Sequence, residues 1–315
     1  MAAPGKYRDL IDQETWAFIE RTMEYYPAET VAASIEEQRE IYNRLCAAFS
    51  VDFPEGVKSE DFAIQANDHT IKCRKYHFEL EERPAAQILY FHGGGYVVGG
   101  LHSHNSFCAD ICHATGLPLT AVDYRLAPEH HFPSDVYDAI GAYRHLLDNS
   151  SLPIILMGDS AGGNIAAAVA HASREESRQP IGQVLIYPTL GNTFDVGSYV
   201  EHAHAPMLTT EEMIFYAKMR TNGDLEQWNA KELSPLNDPD FSNLPRTTVF
   251  AAQLDPLRDD GERYCERVNQ AGGKAKFVEE AGLPHTYLLA RHSVAKARKA
   301  FQNIARALTA TADNI

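Results

Sequence analysis

The sequence reads as an α/β protein: a mostly parallel central sheet, helices on both faces, and a helical cap. Three observations carry that reading. Short runs rich in apolar, β-branched and aromatic residues alternate with longer helical patterns, the rhythm of parallel strands joined by crossover helices. Gly158-Asp159-Ser160-Ala161-Gly162 stands between an apolar run, Leu152 to Met157, and an alanine-rich helical stretch opening at Ile165. His92-Gly93-Gly94-Gly95-Tyr96 follows directly on another apolar run that begins at Gln87.

Residues 1–50 read as two amphipathic helices. Asp12 caps the first, which carries Trp16, Ile19 and Met23 on one stripe; Ser34 to Glu37 opens the second, which carries Ile41, Tyr42 and Leu45. Stripes ahead of any strand need a partner, so this segment is expected to cover the rest of the chain as a cap. Pro54-Glu55-Gly56 separates it from the main domain, 51–315. There, 58–79 reads as two strands around a turn at Asn67-Asp68. Further strands are expected at 87–92, 117–124, 153–157, 183–187, 247–254 and 274–278, and helices near 104–115, 134–148, 161–175, 259–271 and 290–311. The stretch 192–237 breaks the rhythm with one helix near Thr210 and polar, irregular sequence, and reads as a second cap insertion over the sheet edge. In such sheets ligands sit outside the carboxyl ends of the strands.

Composition sets bounds. The 315 residues are 44% hydrophobic and 23% charged, which suits one large domain with an appendage. A formal net charge of −15 argues against nucleic acid or an anionic membrane as partner. Met1 to Leu10 lacks the apolar core of a secretion signal, and no run approaches a membrane span. The five scattered cysteines, Cys46, Cys73, Cys108, Cys112 and Cys265, read as reduced thiols of a cytoplasmic protein. Cys108 and Cys112 with His113 could begin a metal site, but no second half with ligand spacing follows, and no metal is expected.

The chemistry-bearing residues follow from the same pattern. Gly-x-Ser-x-Gly between a strand and a helix is a nucleophile elbow: the serine takes a strained turn, and glycines at 158 and 162 leave room for close backbone approach. Three glycines after a strand can turn N–H groups toward an anion, and with the N–H of Ala161 they could form an oxyanion hole. A serine needs a base held by a third group. Of the histidines after Asp255, His285 follows a strand, whereas His292 falls within an expected helix and reads as a surface residue. Asp255 ends the 247–254 run and is the expected orienting acid. Asp259 and Asp260 open the next helix and suit N-cap and dipole roles. Arg125 reads as half of a structural ion pair, and Asp159 as a supporting residue.

These residues resemble the hormone-sensitive-lipase-like family of α/β-hydrolases, bacterial carboxylesterases with an HGGG motif. The resemblance rests on His92 to Tyr96, Gly158 to Gly163, Asp123 to His130 (Asp-Tyr-Arg-Leu-Ala-Pro-Glu-His), Asp255 to Asp259, and the cap segments Ser198-Tyr199 and Leu208-Thr209. It implies the α/β-hydrolase fold, a triad of Ser160, Asp255 and His285, and oxyanion donors on Gly94, Gly95 and Ala161, with Gly93 as a further candidate. It implies no cofactor. One departure is Thr286-Tyr287, where the family often has Gly-Phe.

The expected function is hydrolysis of short- to medium-chain carboxylic esters, small molecules, by way of an acyl-enzyme. Trp16, Tyr96, Tyr199 and Leu208 are expected to line the substrate cavity. The same triad could serve an amidase or peptidase, and some members of the fold bind ligands without catalysis, although those tend to lose the histidine. Monomer and homodimer are both compatible with the sequence.

Overall fold

The computed structural model describes residues 5–66, 68–78, 84–224 and 226–314. Eight strands form one sheet: β1 (Val57–Gln65), β2 (Thr70–Phe78), β3 (Gln87–Phe91), β4 (Leu119–Asp123), β5 (Ile154–Asp159), β6 (Gly182–Ile186), β7 (Arg246–Leu254) and β8 (Ala275–Pro284). Their order is β1-β2-β4-β3-β5-β6-β7-β8. β1 pairs antiparallel with β2 and β2 with β4; every later pairing is parallel. Asn67 of the expected first turn lies outside the described residues.

The helices are α1 (Gln13–Tyr25), α2 (Ile35–Ala48), α3 (Asn105–Thr115), α4 (Ser134–Asn149), α5 (Ala161–Ala172), α6 (Ser198–Glu201), α7 (Thr210–Thr221), α8 (Arg258–Gln270) and α9 (Ala295–Ala312). Pleating sorts the central strands between two cores. Ile88 and Tyr90 of β3 pack with α3, α9 and the N-terminal helices; Leu89 and Phe91 pack with α4, α5 and α8. Burial on both faces is why these strands read as unbroken apolar runs. The N-terminal helices share the first core, with Phe18, Ile19, Leu45 and Phe49 buried in it.

Two boundaries differ from expectation. β8 continues to Pro284, six residues beyond the expected end, passing through Gly282 at a φ of +72°. α9 starts only at Ala295. His292 therefore precedes the helix in a turn, where its Nε2 meets Asp110 Oδ2 at 2.8 Å. Among the described residues no helix is long and apolar enough to cross a membrane, and all five cysteines are buried free thiols.

Candidate active site

Four parallel strands end at one place. The residue after β5 is Ser160, after β7 Asp255, after β8 His285, and after β3 His92. Parallel order sends all four chain segments out of the same sheet edge, so residues up to 193 positions apart in sequence, 285 − 92, meet without any local signal.

Ser160 has φ 52° and ψ −118°, strained for a residue with a side chain. The turn closes only because both glycines are bare: a β-carbon on Gly158 would strike the Gly162 carbonyl, and one on Gly162 would strike that of Phe91. The Ser160 N–H donates to the Ile186 carbonyl at 2.8 Å, fixing the turn to β6. Ser160 Oγ lies 2.9 Å from His285 Nε2, and His285 Nδ1 lies 2.6 Å from Asp255 Oδ2. Asp255 is wholly buried, and its other oxygen accepts the Leu257 N–H at 2.9 Å. The carboxylate facing Nδ1 favours the tautomer with the proton on that atom, which leaves Nε2 free to accept from the serine. The Tyr187 ring, 4.6 Å from the imidazole, backs it.

The glycine loop divides its N–H groups between two tasks. Gly93 donates to Asp159 Oδ1 at 3.0 Å, which removes it as an oxyanion donor. The N–H groups of Gly94, Gly95 and Ala161 find no acceptor among the described residues. Asp159 also accepts from Tyr90 Oη at 2.5 Å and sits 3.6 Å from His104 Nε2. Burial pushes its carboxyl upward, but His104, Tyr90 and His92 outweigh that and hold it below the usual range. Burial, with His104 close by, pushes His92 down to about 3, so it is neutral. Its Nδ1 meets the Gly93 carbonyl at 2.7 Å while Tyr124 stacks on the ring. Arg125 pairs with Asp138 at 2.8 Å, away from the serine.

A cavity of about 920 Å³ opens over Ser160 and His285. Trp16, Tyr96 and Leu208 line it; Tyr199 does not. The Tyr199 ring is buried beside Leu257, and its hydroxyl donates to Asp260 Oδ2 at 2.8 Å. Asp260 also accepts the N–H groups of Leu190 and Gly191, and Asp259 accepts that of Ser198. The two aspartates thus do not cap their own helix, whose cap position is Leu257; they fasten the 192–237 segment to the sheet domain. The sequence reading missed Tyr26, Phe194, Tyr216, Arg220 and Trp228 on the cavity wall. The only local signal near them is the Thr209–Glu212 capping box, which marks where α7 begins but not which face it turns inward. Among the described residues no group of three His, Cys, Asp or Glu side chains is arranged to hold a metal.

Residues 88–289 match the family model for the α/β-hydrolase fold. The ethyl acetate hydrolase of Pseudomonas putida is 30% identical over 240 residues, covering 72% of this chain and 75% of that one. The carboxylesterase NlhH of Mycobacterium tuberculosis is 35% identical over 213 residues, covering 64% and 66%. Among solved structures, the hyperthermophilic esterase from the archaeon Pyrobaculum calidifontis superposes with a TM-score of 0.89 at 28% identity, covering 96% of this chain and 99% of that one. The chain belongs to the α/β-hydrolase family. Within it, the chain is a carboxylic ester hydrolase of the hormone-sensitive-lipase-like branch.

Proposed function

We propose that the chain hydrolyses short- to medium-chain carboxylic esters through an acyl-enzyme on Ser160. The observation that carries this reading is the line from Ser160 Oγ through His285 to Asp255, each gap within hydrogen-bond reach, at the floor of an apolar cavity. His285 Nε2 takes the serine proton as Oγ attacks the ester carbonyl, and Asp255 stabilises the imidazolium that forms. The N–H groups of Gly94, Gly95 and Ala161 receive the oxyanion. His285 then protonates the leaving alcohol; water, activated by the same base, releases the acid. No cofactor enters any step.

Residues 1–50 and 192–237 act as the cap that bounds the acyl chain. Their aromatic lining supports this role, with Trp16 from one segment and Phe194, Tyr216 and Trp228 from the other. The name of the Pseudomonas relative, an ethyl acetate hydrolase, supports the short end of the range. Five buried free thiols fit a reducing, cytoplasmic setting.

The test is a series of p-nitrophenyl esters, together with a p-nitroanilide of the best acyl group. The expected optimum falls within about two to eight acyl carbons, the range a bounded cavity admits. A faster rate on the anilide would replace the esterase reading with an amidase. An optimum at long acyl chains would remove the bounding role of the cap.

A further inference from the structure

Gly95 and Tyr96 stand side by side with left-handed φ values of 59° and 66°. Glycine adopts that conformation freely; tyrosine holds it only where its surroundings impose it. Two side chains of α7 press on this pair. The Tyr216 ring lies against the bare Cα of Gly95, so close that a β-carbon there would come within 2.5 Å of it. Arg220, four residues on and so on the same helix face, holds its guanidinium 3.8 Å from the centre of the Tyr96 ring.

The guanidinium is anchored from two further directions. Nε donates to Asp135 Oδ2 of α4 at 2.8 Å, and Nη1 donates to Asn164 Oδ1 of α5 at 3.0 Å. Asn164 is itself locked. Its Nδ2 donates to the carbonyls of Thr189 and Leu233, and its N–H donates to the carbonyl of Ser160, one turn earlier. Arg220 is 2% exposed, and among the described residues its Nη2 has no hydrogen-bond acceptor. One buried arginine thus joins the serine's helix to the residue that follows the glycine donors.

We propose that Arg220 is a positioning residue for the oxyanion hole: by fixing the Tyr96 ring against the Asn164 end of α5, it sets the Gly94 and Gly95 N–H groups in register with Ser160. This rests on the ester-hydrolase reading above. Nothing in it requires Arg220 to touch substrate.

The test compares three variants with wild type. Arg220→Lys keeps the charge and loses the planar fork. The double variant Asp135→Asn/Arg220→Gln removes both members of the buried pair, so neither charge is stranded. Tyr96→Leu removes the ring and spares the arginine. In variants shown to be folded by circular dichroism, kcat should fall about tenfold or more while KM stays within about twofold. Affinity for a trifluoromethyl ketone, which mimics the tetrahedral intermediate, should fall by the same factor as kcat/KM. Combining Tyr96→Leu with the double variant should cost no more than the larger single effect, because both break one linkage.

Folded variants with kcat within about twofold of wild type would overturn the proposal. So would a kcat loss without the parallel loss of ketone affinity, or losses that multiply in combination. A wild-type chain inert toward all esters would overturn the ester reading and this proposal together. An active wild type with unaffected variants overturns the positioning role alone.

Discussion

Asp159 illustrates how neighbours decide what a carboxylate does. It is adjacent to Ser160 in sequence, yet it is turned beneath the glycine loop, where Tyr90, His104 and the Gly93 N–H engage it. Asp255, distant in sequence, is the carboxylate that reaches the imidazole. Two predictions belong at this scale. Ser160→Ala should lower kcat by about 10⁴-fold or more with an unchanged circular dichroism spectrum; retained turnover would remove the serine from the chemistry. Asp255→Asn should cost about 10³- to 10⁴-fold in kcat, because it loses the carboxylate that fixes the His285 tautomer. Asp259→Asn, at a carboxylate that accepts from the Ser198 N–H and the Arg258 guanidinium, should change kcat by no more than about threefold. Steady-state kinetics on one ester separates the two, and equal effects would remove Asp255 from its role. The sequence made the candidate triad legible because each member directly follows a run of strand character. It left Gly93 open as an oxyanion donor because nothing local shows that a distant carboxylate takes its N–H.

The N-terminal helices and the 192–237 segment reach the cavity in different ways. α1 is amphipathic in two directions at once: Phe18 and Ile19 are buried in the core, while Trp16, Ile19 and Met23 line the cavity. Its removal should therefore cost folding stability as well as activity, whereas a single truncation on the cavity side should not. Trp16→Ala is expected to shift the acyl optimum toward longer esters, with a change in melting temperature of no more than a few degrees, since Trp16 is only half-buried. An unchanged chain-length profile would show that α1 does not bound the acyl chain. The insertion instead hangs on polar clasps. Asp260 accepts three hydrogen bonds from it and its approach, and burial raises the carboxyl's pKa. The periodicity of α1 was readable; which of its faces met the core and which the cavity was not, because both neighbours are apolar.

Across the whole molecule, two buried histidines link pH to stability. Burial lowers His92 to about 3 and His171, which is held by Asp238 and Tyr264, to about 4. Both stay neutral in the folded chain while the unfolded chain takes up protons below pH about 6.5, so the stability they preserve is complete above that pH and declines as pH falls toward 4. Chemical denaturation should show stability dropping by up to about 3 kcal/mol per histidine across that window, and His171→Gln should flatten the slope even if it lowers the plateau. A slope identical to wild type would show that His171 does not titrate in this way. The molecule also carries its own reporter: its two tryptophans, Trp16 and Trp228, both line the cavity. Binding of a slowly reacting ketone should change intrinsic fluorescence over a concentration range that matches inhibition; unchanged emission under full inhibition would place the ligand elsewhere. The sequence by itself determined the alternation of elements, the elbow, the glycine loop and the succession of Ser160, Asp255 and His285 as candidate triad, because these depend on backbone sterics and on patterns local to each strand end. Only the tertiary structure decided that Tyr199 turns away from the cavity toward Asp260, and that Tyr216 and Arg220 pack against Gly95 and Tyr96. Those choices depend on which face of a cap helix meets which distant loop, and side chains four residues apart on a helix carry no mark of what they will pack against.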